Sequence, residues 1–277
     1  MGRMAASVVN RREGRFRDDR LAYRVWDVSE PRAIVVIAHG YAEHSGRYDH
    51  VGTALAEAGF AAWALDHAGH GLSKGDERGN AGSVEDAVAA MDEFVTLASA
   101  SAPSVPVFLL GHSMGAMLAI AYAEQHQDRL AGLVVTGAAV VLGEMISALL
   151  ELDEIPAVPL GAFVSRDPAV AQAYDEDPLN YHGAIPRDTL EQAPERIESV
   201  RSQFGKITIP ILVMHGEQDA LAPMQASLDV IAGVSSGDRT LRIWPRLYHE
   251  IFNEPEKDLV IGEVVRWISE RVPSIAS

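Results

Sequence analysis

The sequence predicts an α/β protein: a mostly parallel, doubly wound sheet with helices on both faces and a cap inserted late in the chain. Three observations carry that prediction. Short apolar runs alternate with amphipathic stretches from Leu21 onward, one run ends in a Gly-x-Ser-x-Gly turn, and the alternation breaks between Leu142 and Phe204 before it resumes. Repeated strand-helix units require crossover connections, which place helices on both faces of a parallel sheet.

Taken in order, Met1 to Asp27 carries Arg11, Arg12, Arg15, Arg17 and Arg20 with no apolar stretch behind them, which does not read as a signal peptide. Leu21 to Trp26 alternates as a strand does. Ala33 to Ala38 is a β-branched run ending in His39-Gly40, the pattern of a buried strand. Tyr48, Val51 and Leu55 recur at helical spacing, and Phe60 to Leu65 is a further strand, ending in Asp66-His67-Ala68-Gly69-His70-Gly71. Ser83 and Asp86 form a capping-box-like start to a helix whose apolar stripe runs from Val84 to Ala98, stopped by Pro103 and Pro106.

Val107 to Leu110 is then a short apolar strand, Gly111-His112-Ser113-Met114-Gly115 the turn, and Ala116 to Gln127 a helix. Strand, sharp turn and helix present one hydroxyl at the end of a buried strand, which is the context a nucleophile elbow needs. Unpaired N–H groups and the positive end of the helix dipole lie there, so negative charge developing beside Ser113 is stabilised. Leu130 to Thr136, Ile209 to His215 and Thr240 to Ile243 are the later strands, and Val260 to Ile268 is the last helical stripe before Pro273.

The length of 277 residues allows one large domain or two small ones. A net charge of -16 excludes a phosphate-backbone partner, which needs a basic face, and disfavours adsorption to anionic lipid. Cysteine is absent, so there are neither disulfides nor thiolate metal sites. No apolar run approaches the ~18 residues that span a bilayer. A soluble, cytoplasmic protein is expected, with any membrane contact peripheral.

Between Leu142 and Phe204, Met145, Ile146, Leu149, Leu150, Ile155, Val158, Leu160, Phe163 and Val164 crowd together, with Pro156, Pro159, Pro168, Pro178 and Pro186 among the residues of the stretch. The stretch is too long for a plain loop and reads as a cap folded over the strand ends, where open α/β sheets bind ligands. Its apolar crowd, with Leu149 and Leu150 among it, is expected to line an acyl tunnel and form a lipid-facing rim.

A serine needs a base, and the base a carboxylate, in the chain order Ser, acid, His. Asp219, in the turn after Ile211 to Met214, is the best-placed acid, with Glu217 and Asp229 as rivals; His249, the only histidine after it, is the base. The N–H groups of Tyr41 and Met114 are the candidate oxyanion donors. His39, His44, His67 and His70, with Asp66, admit a second sorting as a metal site, but at strand ends their imidazoles serve equally well as turn residues, and none is assigned as a metal ligand.

His39-Gly40-Tyr41-Ala42-Glu43-His44-Ser45-Gly46-Arg47-Tyr48, Leu65 to Ser73, Gly111 to Gly115 and His215-Gly216-Glu217-Gln218-Asp219 together resemble the monoacylglycerol lipase branch of the α/β-hydrolases. Ser165-Arg166-Asp167-Pro168 and Tyr174 to Leu179 are similar to that family's lid, and the likeness runs from about Leu21 to the end. The resemblance implies an α/β-hydrolase core over residues 1–141 and 205–277, a cap over 142–204, a Ser113, Asp219, His249 triad and no cofactor. It also implies that Glu43, Arg47 and Tyr174 lie near a glycerol head, and that a monoacylglycerol is cut to fatty acid and glycerol through an acyl-enzyme on Ser113. Some members carry a second histidine three places after the catalytic one; this chain has Phe252 there. The alternatives are a broader carboxylesterase or lysophospholipase sharing the chemistry, and a catalytically silent member of the fold that binds lipid or protein.

Overall fold

A computed structural model describes residues 10–272; Met1 to Val9, at the head of the arginine-rich start, and Pro273 lie outside the described residues. The elements are β1 (Asn10–Phe16), β2 (Leu21–Asp27), β3 (Ala33–Ala38), α1 (Asp49–Glu57), β4 (Phe60–Leu65), α2 (Val84–Ser101), β5 (Val107–His112), α3 (Met114–His126) and β6 (Gly132–Thr136). After them come α4 (Glu144–Leu150), α5 (Gly161–Val164), α6 (Pro168–Glu176), α7 (Arg187–Glu191), α8 (Ala193–Arg201), β7 (Ile211–Gly216), α9 (Gln225–Gly233), β8 (Arg239–Trp244) and α10 (Lys257–Ser269). The strands form one eight-stranded sheet in the order β1-β2-β4-β3-β5-β6-β7-β8. Only β1 with β2 and β2 with β4 pair antiparallel; β4, β3 and β5 to β8 run parallel.

Strand periodicity builds the two layers. In β3, Ile34, Val36 and Ala38 face a core shared with Met91 and Phe94 of α2, Ile120 of α3 and Val230 of α9. Ala33, Val35 and Ile37 face the opposite core, with Leu55 of α1 and Val264 and Trp267 of α10. Both faces of the central strands are therefore buried, and that is why those strands are continuous apolar runs without alternation. The register places Ala38 beside Gly111, and His112 beside Thr136. The carboxyl ends of β3, β5 and β6 thus finish together, and α4 to α8 fill the connection from β6 to β7. No helix among the described residues is long and apolar enough to cross a membrane.

One strand had no signal in the hydrophobic pattern. β1 is Asn-Arg-Arg-Glu-Gly-Arg-Phe, and pairing fixes it instead: it is antiparallel to β2, Glu13 meets Arg24 at 3.1 Å, and Phe16 packs on Phe94 with ring centroids 5.0 Å apart.

α3 carries a buried acid away from the site. Glu124 is 7% exposed, its Oε1 has no hydrogen-bond partner among the described residues, and burial pushes its carboxyl up to about 8, with Lys206 opposing. The folded chain keeps the Glu124 proton that the unfolded chain has lost, so Glu124 drains stability as pH rises from the ordinary carboxyl range toward 8. Glu124→Gln is expected to melt like the wild type near pH 4.5 and to gain about 2 kcal/mol over it above pH 8, after allowance for solvent screening. Thermal melts across that range check this; equal melting at every pH would refute it.

Candidate active site

The turn after β5 is shaped by crowding. A Cβ on Gly111 would collide with the Gly115 carbonyl oxygen, and one on Gly115 with the Ala38 carbonyl oxygen, so the strand-to-helix bend leaves room for hydrogen only at both places. Between them Ser113 takes φ 54°, ψ -118°, a conformation costing a side-chain-bearing residue roughly 1–3 kcal/mol. Two backbone bonds hold it there, Ser113 N–H to Thr136 O at 2.9 Å and Ala139 N–H to Ser113 O at 3.2 Å. Ser113 is the N-cap of α3.

Asp219 sits in the turn after β7. Its Oδ1 accepts the N–H groups of Leu221 (2.8 Å) and Ala222 (2.9 Å), and its Oδ2 accepts His249 Nδ1–H at 2.7 Å. The rival acids are engaged elsewhere: Glu217 accepts Arg246 N–H, and Asp229 pairs with Arg201 at 2.7 Å. Burial works to raise the Asp219 carboxyl, but His249, His215 and the Ala222 N–H outweigh it and hold the group below its usual range. For His249, burial works downward, while Asp219, by charge and hydrogen bond, and then Glu250 and Glu43, carry the imidazole above its ordinary value. The loop bearing it is pinned by Tyr248 N–H to Glu254 Oε1 at 2.6 Å and by Glu250 N–H to Val164 O at 2.8 Å. Ser113 and His249 line one cavity. No Ser113 Oγ to His249 hydrogen bond is formed among the described residues, and such bonds often tighten only around a substrate.

Tyr41 and Met114 border the same cavity, and neither N–H has a hydrogen-bond acceptor among the described residues. The Gly40 N–H beside them donates to Glu43 Oε1 at 2.7 Å, which fixes the loop after β3. His39 reinforces that loop: its Nδ1–H donates to Gly40 O at 2.7 Å, and its Nε2 accepts the His67 N–H at 3.0 Å. Both His39 nitrogens are thereby used by backbone, and burial drives His67 down to about 3 and His70 to about 4. These imidazoles behave as neutral turn and packing residues, and their donor atoms do not converge with those of His44 or Asp66. The one group of side chains among the described residues with converging metal-ligand atoms is Glu43, His112 and Glu250, which the sequence reading did not single out; Arg47 already bonds both of its carboxylates.

Glu43, Arg47 and Tyr174 do come together. Arg47 donates to Glu43 Oε2 at 2.9 Å, forms a two-pronged bond with Glu250, its Nη2 reaching Oε2 at 2.6 Å, and lies 4.6 Å above the Tyr174 ring. Tyr48 OH closes the group by donating to Glu43 Oε1 at 2.8 Å. Glu43 and Tyr174 reach the cavity wall; Arg47 sits behind them.

The cavity measures about 210 Å³ and is lined on its apolar side by Met145, Ile146, Val158, Leu160, Val164, Ile185 and Leu190 from the segment between β6 and β7. Leu149 and Leu150, expected in the tunnel and its rim, do not line it: Leu149 is buried at 6% exposure and Leu150 is half-buried. Leu142 just before α4 and Met145 and Ile146 on it line the cavity, whose wall stops short of Leu149 although Leu149 lies on the same helical face. Glu250, Glu254 and His215 were missed as well. Each is an ordinary charged or turn residue by spacing, and only the chain's folding brings it against Arg47, the His249 loop or Asp219.

A strained serine at a strand-helix elbow, ahead of a buried Asp-His pair on later turns of a doubly wound sheet, defines an α/β-hydrolase. The chain belongs to the family described as serine aminopeptidase, S33, whose model matches residues 29–256, and within it to the monoacylglycerol lipase family. It is 37% identical over 260 residues to the monoacylglycerol lipase of Mycolicibacterium smegmatis, covering 90% of this chain and 92% of that one. To the monoglyceride lipase of Rattus norvegicus it is 28% identical over 263 residues, covering 90% and 86%. Among solved structures, the Paleococcus ferrophilus monoacylglycerol lipase superposes with a TM-score of 0.76 at 26% identity, covering 95% of this chain and 99% of that one.

Proposed function

We propose that the protein hydrolyses monoacylglycerols to fatty acid and glycerol. The observation that carries this reading is one mostly apolar cavity with Ser113 and His249 on its wall and Glu43 and Tyr174 among its polar lining residues. Ser113 Oγ attacks the ester carbonyl while His249 Nε2 takes its proton. The oxyanion develops against the N–H groups of Tyr41 and Met114. His249 then returns the proton to the glycerol oxygen, whose bond to the acyl carbon breaks, and afterwards takes one from the water that attacks the acyl carbon, handing it to Ser113 Oγ as that oxygen's bond to the acyl group breaks and the acid leaves. Asp219 keeps the His249 Nδ1 proton in place throughout. The chemistry calls on no group beyond these side chains and water.

Residues 142–204 act as the cap, and their apolar side chains receive one acyl tail. Leu152, 43% exposed, is the cap's outermost large apolar side chain, and Glu151, Asp153 and Glu154 flank it. Contact with lipid through this rim is therefore contact with neutral rather than anionic surfaces. Each methylene entering the cavity contributes up to about 0.8 kcal/mol, so kcat/KM is expected to climb up to about fourfold per methylene until the space is full. The test compares mono-, di- and triacylglycerols at matched chain length and dispersion. Monoacylglycerols should be cut much faster than triacylglycerols, and Ile146→Asp should flatten the chain-length dependence. Equal rates on one-tailed and three-tailed glycerides would overturn the one-tail reading and leave a general esterase.

A further inference from the structure

His215 is the penultimate residue of β7 and is fully buried. Its Nδ1 lies 2.8 Å from Ser227 Oγ on α9, and its Nε2 lies 3.0 Å from Ala222 O and 3.3 Å from Asp219 Oδ2. A carbonyl oxygen can only accept, so Nε2 carries the ring proton and Nδ1 receives the Ser227 hydroxyl. Burial, against the pull of Asp219, keeps this imidazole below its ordinary value, and the neutral ring matches that tautomer. The Nε2–H donates to Ala222 O, and the same positive ring edge lies 3.3 Å from the Asp219 oxygen that accepts from His249. Asp219 thus accepts two backbone N–H groups on Oδ1 and His249 on Oδ2, with the His215 ring edge against Oδ2 from the other side.

We infer that His215 is a positioning residue for the catalytic acid, holding the Asp219 carboxylate in the rotamer that meets His249 and moderating its pull on the His249 proton. The inference rests on the Ser113, Asp219, His249 reading. Two consequences follow from the geometry. A carboxylate oxygen facing the positive edge of a second ring attracts the His249 proton less, so loss of the His215 edge makes His249 more basic. Loss of that edge, packed 3.3 Å from Oδ2, also lets Asp219 turn, so fewer molecules hold His249 in the reacting orientation. His215 does not line the cavity, so substrate binding should not register the change.

The shapes of asparagine and glutamine separate this role from simple packing. His215→Gln places an amide N–H where Nε2 was and keeps a positive edge facing Asp219. His215→Asn reaches Ser227 but falls short of Asp219. Both are polar and smaller than or close to histidine in size. The other groups facing His249 stay in place in both variants: Glu250 on its own loop, Glu43 after β3, His112 on β5 with ring centroids 4.6 Å away, and Arg47 bonded to both glutamates.

The experiment measures kcat, KM and the pH profile of kcat/KM on a soluble short-chain ester, per mole of site labelled by a fluorophosphonate. In His215→Asn, kcat should fall roughly tenfold or more with KM little changed, and the acid limb of kcat/KM should move about half a pH unit upward. His215→Gln should restore most of kcat and the wild-type limb. Wild-type kcat per labelled site with an unmoved limb in His215→Asn would overturn the inference, as would equal losses in the two variants. A purely structural role would lower the yield of labelled sites while leaving kcat per site and the limb where they were, and that result also overturns it. Failure of the label to attach to Ser113 of the wild-type enzyme would instead fell the triad reading, and this inference with it.

Discussion

Ser113→Ala and His249→Ala are each expected to lower kcat for ester hydrolysis by at least about 10⁴-fold while leaving the fold intact, and the double variant should be hardly worse than either. Nucleophile and base act as one unit: a hydroxyl without its base is a poor nucleophile, and a base without the hydroxyl has no proton to take. Ser113→Ala also keeps its Cβ, so the elbow's backbone bonds to Thr136 and from Ala139 are undisturbed. Folding can be followed by the melting temperature and activity by a short-chain ester. Asp219→Asn belongs in the same series, because an amide in place of the carboxylate loses the charge that raises His249 and admits the wrong tautomer. Additive losses in the double variant, or near-normal turnover in folded Ser113→Ala, would remove Ser113 from the chemistry.

Those residues were legible in the sequence because each sits at a place marked by local pattern. Ser113 lies between glycines where a strand must turn into a helix, Asp219 just after a buried strand, and His249 alone beyond it. The parallel strands were legible for the same reason: burial on both faces requires continuous apolar runs, and Ala33 to Ala38 and Phe60 to Leu65 provide them. β1 was not legible, because an edge strand half in water has no apolar period to display, and its partner is what makes it a strand.

The segment between β6 and β7 shows the limit on side-chain direction. Its apolar crowd announces a hydrophobic surface, but Met145 and Ile146 meet the cavity while Leu149 and Leu150 do not, and no local period encodes where along α4 the cavity stops. The polar network behind the cavity lies further still from local pattern. Glu43 and Arg47 are four residues apart, but Glu250 joins them across 203 residues of chain.

That network carries the second large effect. Arg47 is the cation bonded to two carboxylates, Glu43 at 2% and Glu250 at 5% exposure, and its face covers Tyr174. Burial raises both glutamates; in Glu250 the Arg47 charge and hydrogen bonds more than reverse that, whereas Glu43 stays above the usual range because burial exceeds what Arg47 returns. Arg47→Met keeps much of the stem's packing but strips the charge, leaving two neighbouring buried carboxylates without a counter-ion. The expected loss is about 3–5 kcal/mol at pH 7.5, read as a melting temperature lower by roughly 10 °C. The sign of its pH dependence follows from Glu250, whose folded-state value is depressed in the wild type: the stability it contributes is present above the ordinary carboxyl range and fades as pH falls below it. The gap between Arg47→Met and wild type should therefore narrow on acidification, as protons replace the missing cation. Adding Glu43→Gln and Glu250→Gln to Arg47→Met should recover most of the loss at pH 7.5, since no charge then remains to be balanced. A melting temperature unchanged by Arg47→Met would mean that solvent already neutralises the two glutamates. A loss that is independent of pH, and not recovered in the triple variant, would trace the defect to the Tyr174 contact instead of to charge.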